Sequence, residues 1–273
     1  MVDLHTLLIK YVNSKSNVID LQFDPATPPP LPFDPYSEDL LERKKIAHYL
    51  LLVASVDEGN VIGEADNARK LLVRLHSLLR EKLFSATDGV FREALENLNA
   101  TFPAREGRLI PNILGSVNSF LVSRANGDLV NHSGEFSNPA ALAEEIAMNI
   151  LRMGRTPGST RKKTWMYLRW MVRGRPDLRL FDHFDPRDLF VPVDRNVAKV
   201  AVCAGRIPED HLRSLTWNDT IEVTDLARSL FPDDPARVDY PFFLLGRKLR
   251  PNLRLSEESL VSAIEGGHSP SQV

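Results

Sequence analysis

Three side chains near the middle of the chain could do covalent chemistry together: the adjacent amines of Lys162 and Lys163, and the carboxylate of Asp194. The lysines lie in the run Pro157-Gly158-Ser159-Thr160-Arg161-Lys162-Lys163-Thr164, the aspartate in Val191-Pro192-Val193-Asp194-Arg195-Asn196-Val197-Ala198-Lys199. A lysine is normally a protonated, unreactive cation. At a helix N-terminus, beside Arg161 and partly desolvated, its neutral form becomes accessible and can attack a carbonyl-like carbon. The plainer role for either lysine is a phosphate contact. Asp194 precedes the helical pattern Val197, Ala198, Val200, Ala201, which makes it an N-cap. A capping carboxylate at the mouth of a pocket can also stabilise positive charge developing on a sugar, because it is fixed and needs little reorganisation.

The elements that must position these groups read as nearly all helix. Asp34-Pro35 offers a cap and a first-turn proline before a helix over residues 39–56, where Leu40, Leu41, Ile46, Leu50 and Val53 recur at helical spacing. Residues 65–84 repeat the pattern, residues 88–99 and 109–122 form further helices, and Asn138-Pro139 starts one over residues 140–153. Next comes a tight hairpin. Gly154 and Gly158 permit the turn, and Ser159 or Thr160 caps the helix that runs on through Met171. Backbone amides at such a turn, with the positive end of the second helix, suit a phosphate. The six prolines between Pro25 and Pro35 forbid a helix and predict an extended strap. Val191 to Val193 is extended but too short for a sheet, and the Gly-, Asn- and Ser-rich residues 126–138 form the internal boundary.

Composition bounds the function. A chain of 273 residues, 43% hydrophobic and 26% charged, has the makeup of a globular protein with a substantial core. The single Cys203 excludes an internal disulfide and a cysteine-built zinc site, and fits a reducing cytoplasmic location. The first 21 residues carry charges between short apolar groups, so they contain neither a signal-peptide core nor a membrane span. A net charge of −2 argues against indiscriminate coating of nucleic acid. Between Arg152 and Arg179, however, nine basic residues face the lone Asp177, a local charge of +8. A phosphate backbone would be held there, with binding that weakens steeply as salt rises. The bland alternative is a solvated basic helix face.

The Pro-Gly hairpin with its lysine, followed by Val-Asp, resembles the helix-hairpin-helix DNA glycosylase superfamily. The segment Pro192, Val193, Asp194, Val197, Ala198, Lys199, Cys203, Ala204 and Gly205 is similar to the pattern of the archaeal 8-oxoguanine DNA glycosylase family, a likeness that extends over residues 145–250. The resemblance implies an all-α, two-lobed helix-hairpin-helix glycosylase fold: an N-terminal segment and strap (1–36), a helical unit (37–262) with the hairpin near 153–164, and a disordered tail (263–273). It makes Lys163 the Schiff-base nucleophile, with Lys162 as the alternative when the count starts from Gly158, and Asp194 the catalytic aspartate. Tyr167, Asp239 and Phe243 fall on the base pocket, although aromatics at helical spacing are more often core. Where the family carries a base-reading glutamine, Tyr36 follows Asp34-Pro35 here, and Gln22 is the other candidate. Backbone contacts fall to Arg155, Gly158, Ser159, Thr160, Arg161 and Lys162.

The implied activity is excision of a damaged purine, 8-oxoguanine favoured, from lesion-containing double- or single-stranded DNA by a monomer that needs no cofactor and no metal. The lesion nucleotide is flipped out, Lys163 attacks C1′, and β-elimination nicks the strand. Two alternatives stay open: a monofunctional glycosylase in which Asp194 directs water, and a non-catalytic helical nucleic-acid binding module.

Overall fold

The computed structural model describes residues 3–57, 67–100, 109–249 and 255–266, and every regular element among them is helical. In chain order the α-helices are α1 (Leu4–Ser14), α2 (Leu40–Val56), α3 (Asn67–Leu79), α4 (Asp88–Asn97), α5 (Ile110–Ser123), α6 (Leu129–Ser133), α7 (Pro139–Asn149), α8 (Lys162–Val172), α9 (Arg195–Cys203), α10 (Trp217–Leu230), α11 (Asp239–Lys248) and α12 (Glu257–Glu265). Asn138 caps α7 as its sequence predicts, its side chain accepting from the Ala141 amide ahead of a first-turn Pro139. The cap of α2 is Asp39 rather than Asp34: Asp39 Oδ1 accepts the Glu42 amide at 2.8 Å, while Asp34 sits in the preceding turn. Residues 46–56 of α2 are buried all round, which makes this the central helix of its core.

Two hydrophobic cores divide the chain. The first gathers α2 to α8, runs on to Leu189 and takes in Trp217 and Ala236 from later in the chain; the second joins α1 to the run from Val191 through α9 to α12. The division therefore falls at residue 190 and not within residues 126–138. That polar run folds into α6, because Asp128 caps it, His48 Nε2 accepts the Leu129 amide at 3.1 Å, and Leu129 enters the first core. The proline-rich strap lies across the first core. Its carbonyls at Leu21, Asp24, Thr27 and Pro29 accept from the fully buried guanidinium of Arg69, which supplies the donors that a proline run lacks. At the other end, Ala263 and Ile264 of α12 pack on the second core, so the ordered chain reaches past residue 262; residues 267–273 of the expected tail lie outside the described residues.

The hairpin between α7 and α8 carries the segment of most interest. Gly154 has φ +105°, and a Cβ there would lie 2.7 Å from Arg161 Cγ, so glycine is required twice over. Neither Ser159 nor Thr160 caps α8. Arg161 holds the cap position with φ +50° and its guanidinium on Glu144, while the Ser159 hydroxyl donates back to the Gly154 carbonyl at 3.0 Å and closes the turn on itself. The hairpin is tied to the second core by the start of α10. The Trp217 amide donates to the Gly158 carbonyl at 2.8 Å, and its ring packs with Trp165 and Phe190.

Candidate active site

The two lysines part company at the first turn of α8. Successive helical residues point about 100° apart, and both amines meet the end of α2 at different atoms. Lys163 is 7% exposed, and its Nζ donates to the Ser55 carbonyl at 2.8 Å. Lys162 Nζ lies 3.9 Å from Asp57 Oδ2, with about a third of its side chain still exposed. Tyr167, one turn after Lys163, follows it into the core: it is fully buried, its hydroxyl donates to the Ala47 carbonyl at 3.2 Å, and its ring packs edge-on against Phe181. Tyr167 is thus not brought to the site, because it shares the face of α8 turned towards α2.

Asp194 caps α9 as expected. Its Oδ1 accepts the amides of Asn196 at 2.8 Å and Val197 at 2.9 Å, and among the described residues no hydrogen bond engages Oδ2. Its position relative to Asp239 is fixed by α9 crossing α11: a Cβ at Gly246 would fall 2.0 Å from the Asn196 carbonyl oxygen, so only glycine admits this approach. Lys199 Nζ braces the crossing, 3.3 Å from the Gly246 carbonyl.

These groups converge electrostatically on Lys162. Burial pushes its amine down, but Asp57, Asp194, Asp239 and Asp20 together outweigh that and hold the ammonium above its ordinary range. The expected depression by neighbouring cations does not occur, since Arg161 turns away to Glu144 and carboxylates surround the amine instead. Burial raises the carboxyl of Asp57 as well, with Asp20 and Asp194 adding to it and Lys162 and Lys163 opposing. Asp239 is pushed up to about 7, first by burial and then by Asp194 and Asp20, against the pull of Arg169 and Lys162.

A buried ion network underpins the cluster and joins the two cores. Arg169, 3% exposed, meets Asp239 at 2.6 Å, Asp177 at 3.5 Å and also Asp20, whose Oδ2 accepts from Trp170 Nε1 at 3.0 Å. Arg173 pairs with Asp177 and, at 2.8 Å, with Asp234. The +8 stretch is therefore not one basic face. Arg169 and Arg173 are buried among the local Asp177 and carboxylates recruited from distant parts of the chain, Asp20, Asp234 and Asp239, whereas Arg152, Arg155, Arg175 and Arg179 face solvent.

The remaining candidates divide. Phe243, one turn after Asp239, is half-buried, parallel to the Tyr240 ring at 6.2 Å and beneath Arg247. Tyr36 stands apart: its hydroxyl donates to the Pro176 carbonyl at 2.7 Å, Arg175 lies 4.8 Å over its ring, and it lines a separate cleft of about 340 Å³ with Arg43 and Arg179. The charges acting on Tyr36 are Asp177, Arg175, Asp24 and Asp34, not Lys162 or Asp194. Gln22 is buried, and its main-chain N–H donates to Asp20 Oδ1 at 3.1 Å, which puts its backbone beside a carboxylate of the cluster. On the hairpin, Arg155 and Gly158 are exposed, Ser159 and Thr160 partly so, and Arg161 is tied to Glu144. Sequence reasoning missed Asp57 and Asp20. Asp57 left one signal, an acid directly ending the apolar run of residues 50–56. No group of three or more His, Cys, Asp or Glu side chains among the described residues is arranged to hold a metal ion. Among those residues, too, no helix is long and apolar enough to cross a membrane.

Residues 92–248, more than half of the chain, match the family described as "Protein of unknown function (DUF2400)", and the chain belongs to that family. The match spans the hairpin, both lysines, Asp194, Asp239 and Phe243, and leaves Asp20 and Asp57 outside it. No curated protein matches the sequence.

Proposed function

We propose that this chain is a base-excision DNA glycosylase with β-elimination lyase activity, built on a two-lobed helix-hairpin-helix fold, and that Lys162 rather than Lys163 is its attacking amine. The observation that carries this is the convergence of Lys162 and Asp194, at the N-termini of helices from different cores, in one charged cluster with Asp239. Lys163 is committed to the Ser55 carbonyl and serves as an anchor. The exposed turn around Gly158, with Arg155, supplies the backbone grip.

In this mechanism the Lys162 ammonium gives up one proton, and the lone pair so freed forms an N–C1′ bond while the C1′–base bond breaks. The bonding pair leaves with the base, which takes up the proton that the ammonium released. Asp194, through Oδ2, faces the positive charge that develops on the sugar. The adduct then passes one proton from nitrogen to O4′ as the ring opens to the protonated imine. Loss of a C2′ proton expels the 3′-phosphate and nicks the strand. A damaged purine is the favoured substrate, with 8-oxoguanine first on the resemblance of Pro192 to Gly205 to the archaeal 8-oxoguanine glycosylase pattern, and extrusion costs least where the lesion's pairing is already weakened.

The test is a panel of duplexes and single strands carrying 8-oxoguanine, hypoxanthine, uracil or alkylated purines, incubated with wild type and Asp194→Asn. Base release followed by nicking in the wild type, reduced at least 100-fold in the variant while binding persists, is the expected result. Release from no substrate contradicts it. The raised basicity of Lys162 favours one second reading, a monofunctional enzyme in which Asp194 directs water. That enzyme releases base but leaves no nick and no borohydride-trapped adduct.

A further inference from the structure

We propose that Asp57 is the residue that holds Lys162 as its ammonium in the free protein, and so sets the pH above which the amine becomes a nucleophile. This deepens the function proposed above, and its meaning for catalysis rests on that function.

The geometry starts from the last turn of α2. It offers two acceptors, the Ser55 carbonyl and the Asp57 carboxylate, and the adjacent lysines of α8 take one each. Because Lys163 is buried and pinned at 2.8 Å, the register of α8 against α2 is fixed. The 3.9 Å spacing of Lys162 from Asp57 is then a consequence of packing and not a chance meeting of two flexible surface chains. The Asp57 side chain is only 15% exposed, so its field at the amine is poorly screened. The other charges facing Lys162 are Asp194 of α9, Asp239 of α11 and Asp20 of the N-terminal segment, while Lys163 faces Asp57. Among the carboxylates acting on the amine, Asp57 makes the largest contribution.

Attack on C1′ requires that the ammonium first surrender a proton. An anion at this distance opposes that loss, so removing its charge makes the neutral amine available at lower pH. Asp57 therefore trades reactivity at neutral pH for a fixed, protected amine.

The experiment is competitive labelling of Lys162 with acetic anhydride across pH 6–11, read by peptide mass spectrometry, on wild type, Asp57→Asn and Asp57→Glu without DNA. It is paired with borohydride trapping on an abasic-site duplex over the same range. Asp57→Asn should move the midpoint of both profiles about one unit lower, a tenfold gain in labelling rate at a pH below it. Asp57→Glu should return it towards wild type. An unchanged labelling midpoint in Asp57→Asn overturns the inference, as does a wild-type midpoint below that of lysine in a model peptide, a comparison that needs no folded variant. A midpoint that moves in a protein that traps no DNA supports Asp57 as the counter-ion and refutes the lyase.

Discussion

The two ends of a single basic stretch behave in opposite ways. From Arg152 to Arg161 the chain turns in the open, using left-handed backbone at Arg152, Gly154, Gly158 and Arg161, and leaves Arg155 and Gly158 at the surface. From Arg169 to Arg173 it is helical and buried, with each guanidinium shared among carboxylates from residues 20, 177, 234 and 239. Charge density along a sequence is therefore a poor guide to an anion-binding face. A guanidinium about two helical turns further on can be a strut between two cores, because paired and hydrogen-bonded charge survives desolvation where single charge does not. The cluster around Lys162 stands between these extremes, partly buried and richer in anions than in cations.

Substitution at the two ends should separate them cleanly. Arg169→Ala leaves Asp20, Asp177 and Asp239 buried without their shared partner, and should cost about 3–5 kcal/mol in chemical denaturation. A loss below about 1 kcal/mol would mean that the network is far better solvated than its burial indicates. Acidity gives a second, smaller handle. The Asp239 carboxyl, raised to about 7 in the fold, keeps a proton that the unfolded chain loses near pH 4, so its ionisation destabilises the fold. The Asp239 contribution falls as pH rises from about 4 to 7, with Asp57 and Asp177, also raised by burial, acting in the same direction and His48, whose imidazole burial pushes down to about 4, acting against them. Asp239→Asn should therefore gain thermal stability relative to wild type as pH rises from about 4 to 7, and an unchanged difference across that range would contradict the raised carboxyl. At the open end, Arg155→Ala should leave stability within about 0.5 kcal/mol of wild type. It should lower the slope of log affinity against log salt for DNA by about one, as loss of one phosphate contact would.

Much of this is legible in the sequence. The helices, the Asn138-Pro139 start of α7, the hairpin glycines and the capping role of Asp194 follow from local chemistry that acts over a few residues. What was not legible depends on long-range packing. Whether Lys162 or Lys163 turns to the site is decided by how α8 seats on α2, and Tyr167 goes wherever Lys163 goes. Asp20 and Asp57 reach the cluster from positions more than a hundred residues away in sequence, and no spacing rule links them to Lys162. The division between cores at residue 190 was hidden because Phe190 and Val191 adjoin in sequence but pack into different cores.

The central claim is that Lys162, and not its neighbour, reacts in concert with Asp194. It is tested most directly by trapping the protein on an abasic-site duplex with borohydride, digesting the adduct and sequencing the modified peptide, beside Lys162→Gln and Lys163→Gln. The account predicts the adduct on Lys162, absent in Lys162→Gln and retained in a less stable Lys163→Gln. An adduct on Lys163, or none in the wild type, would contradict it.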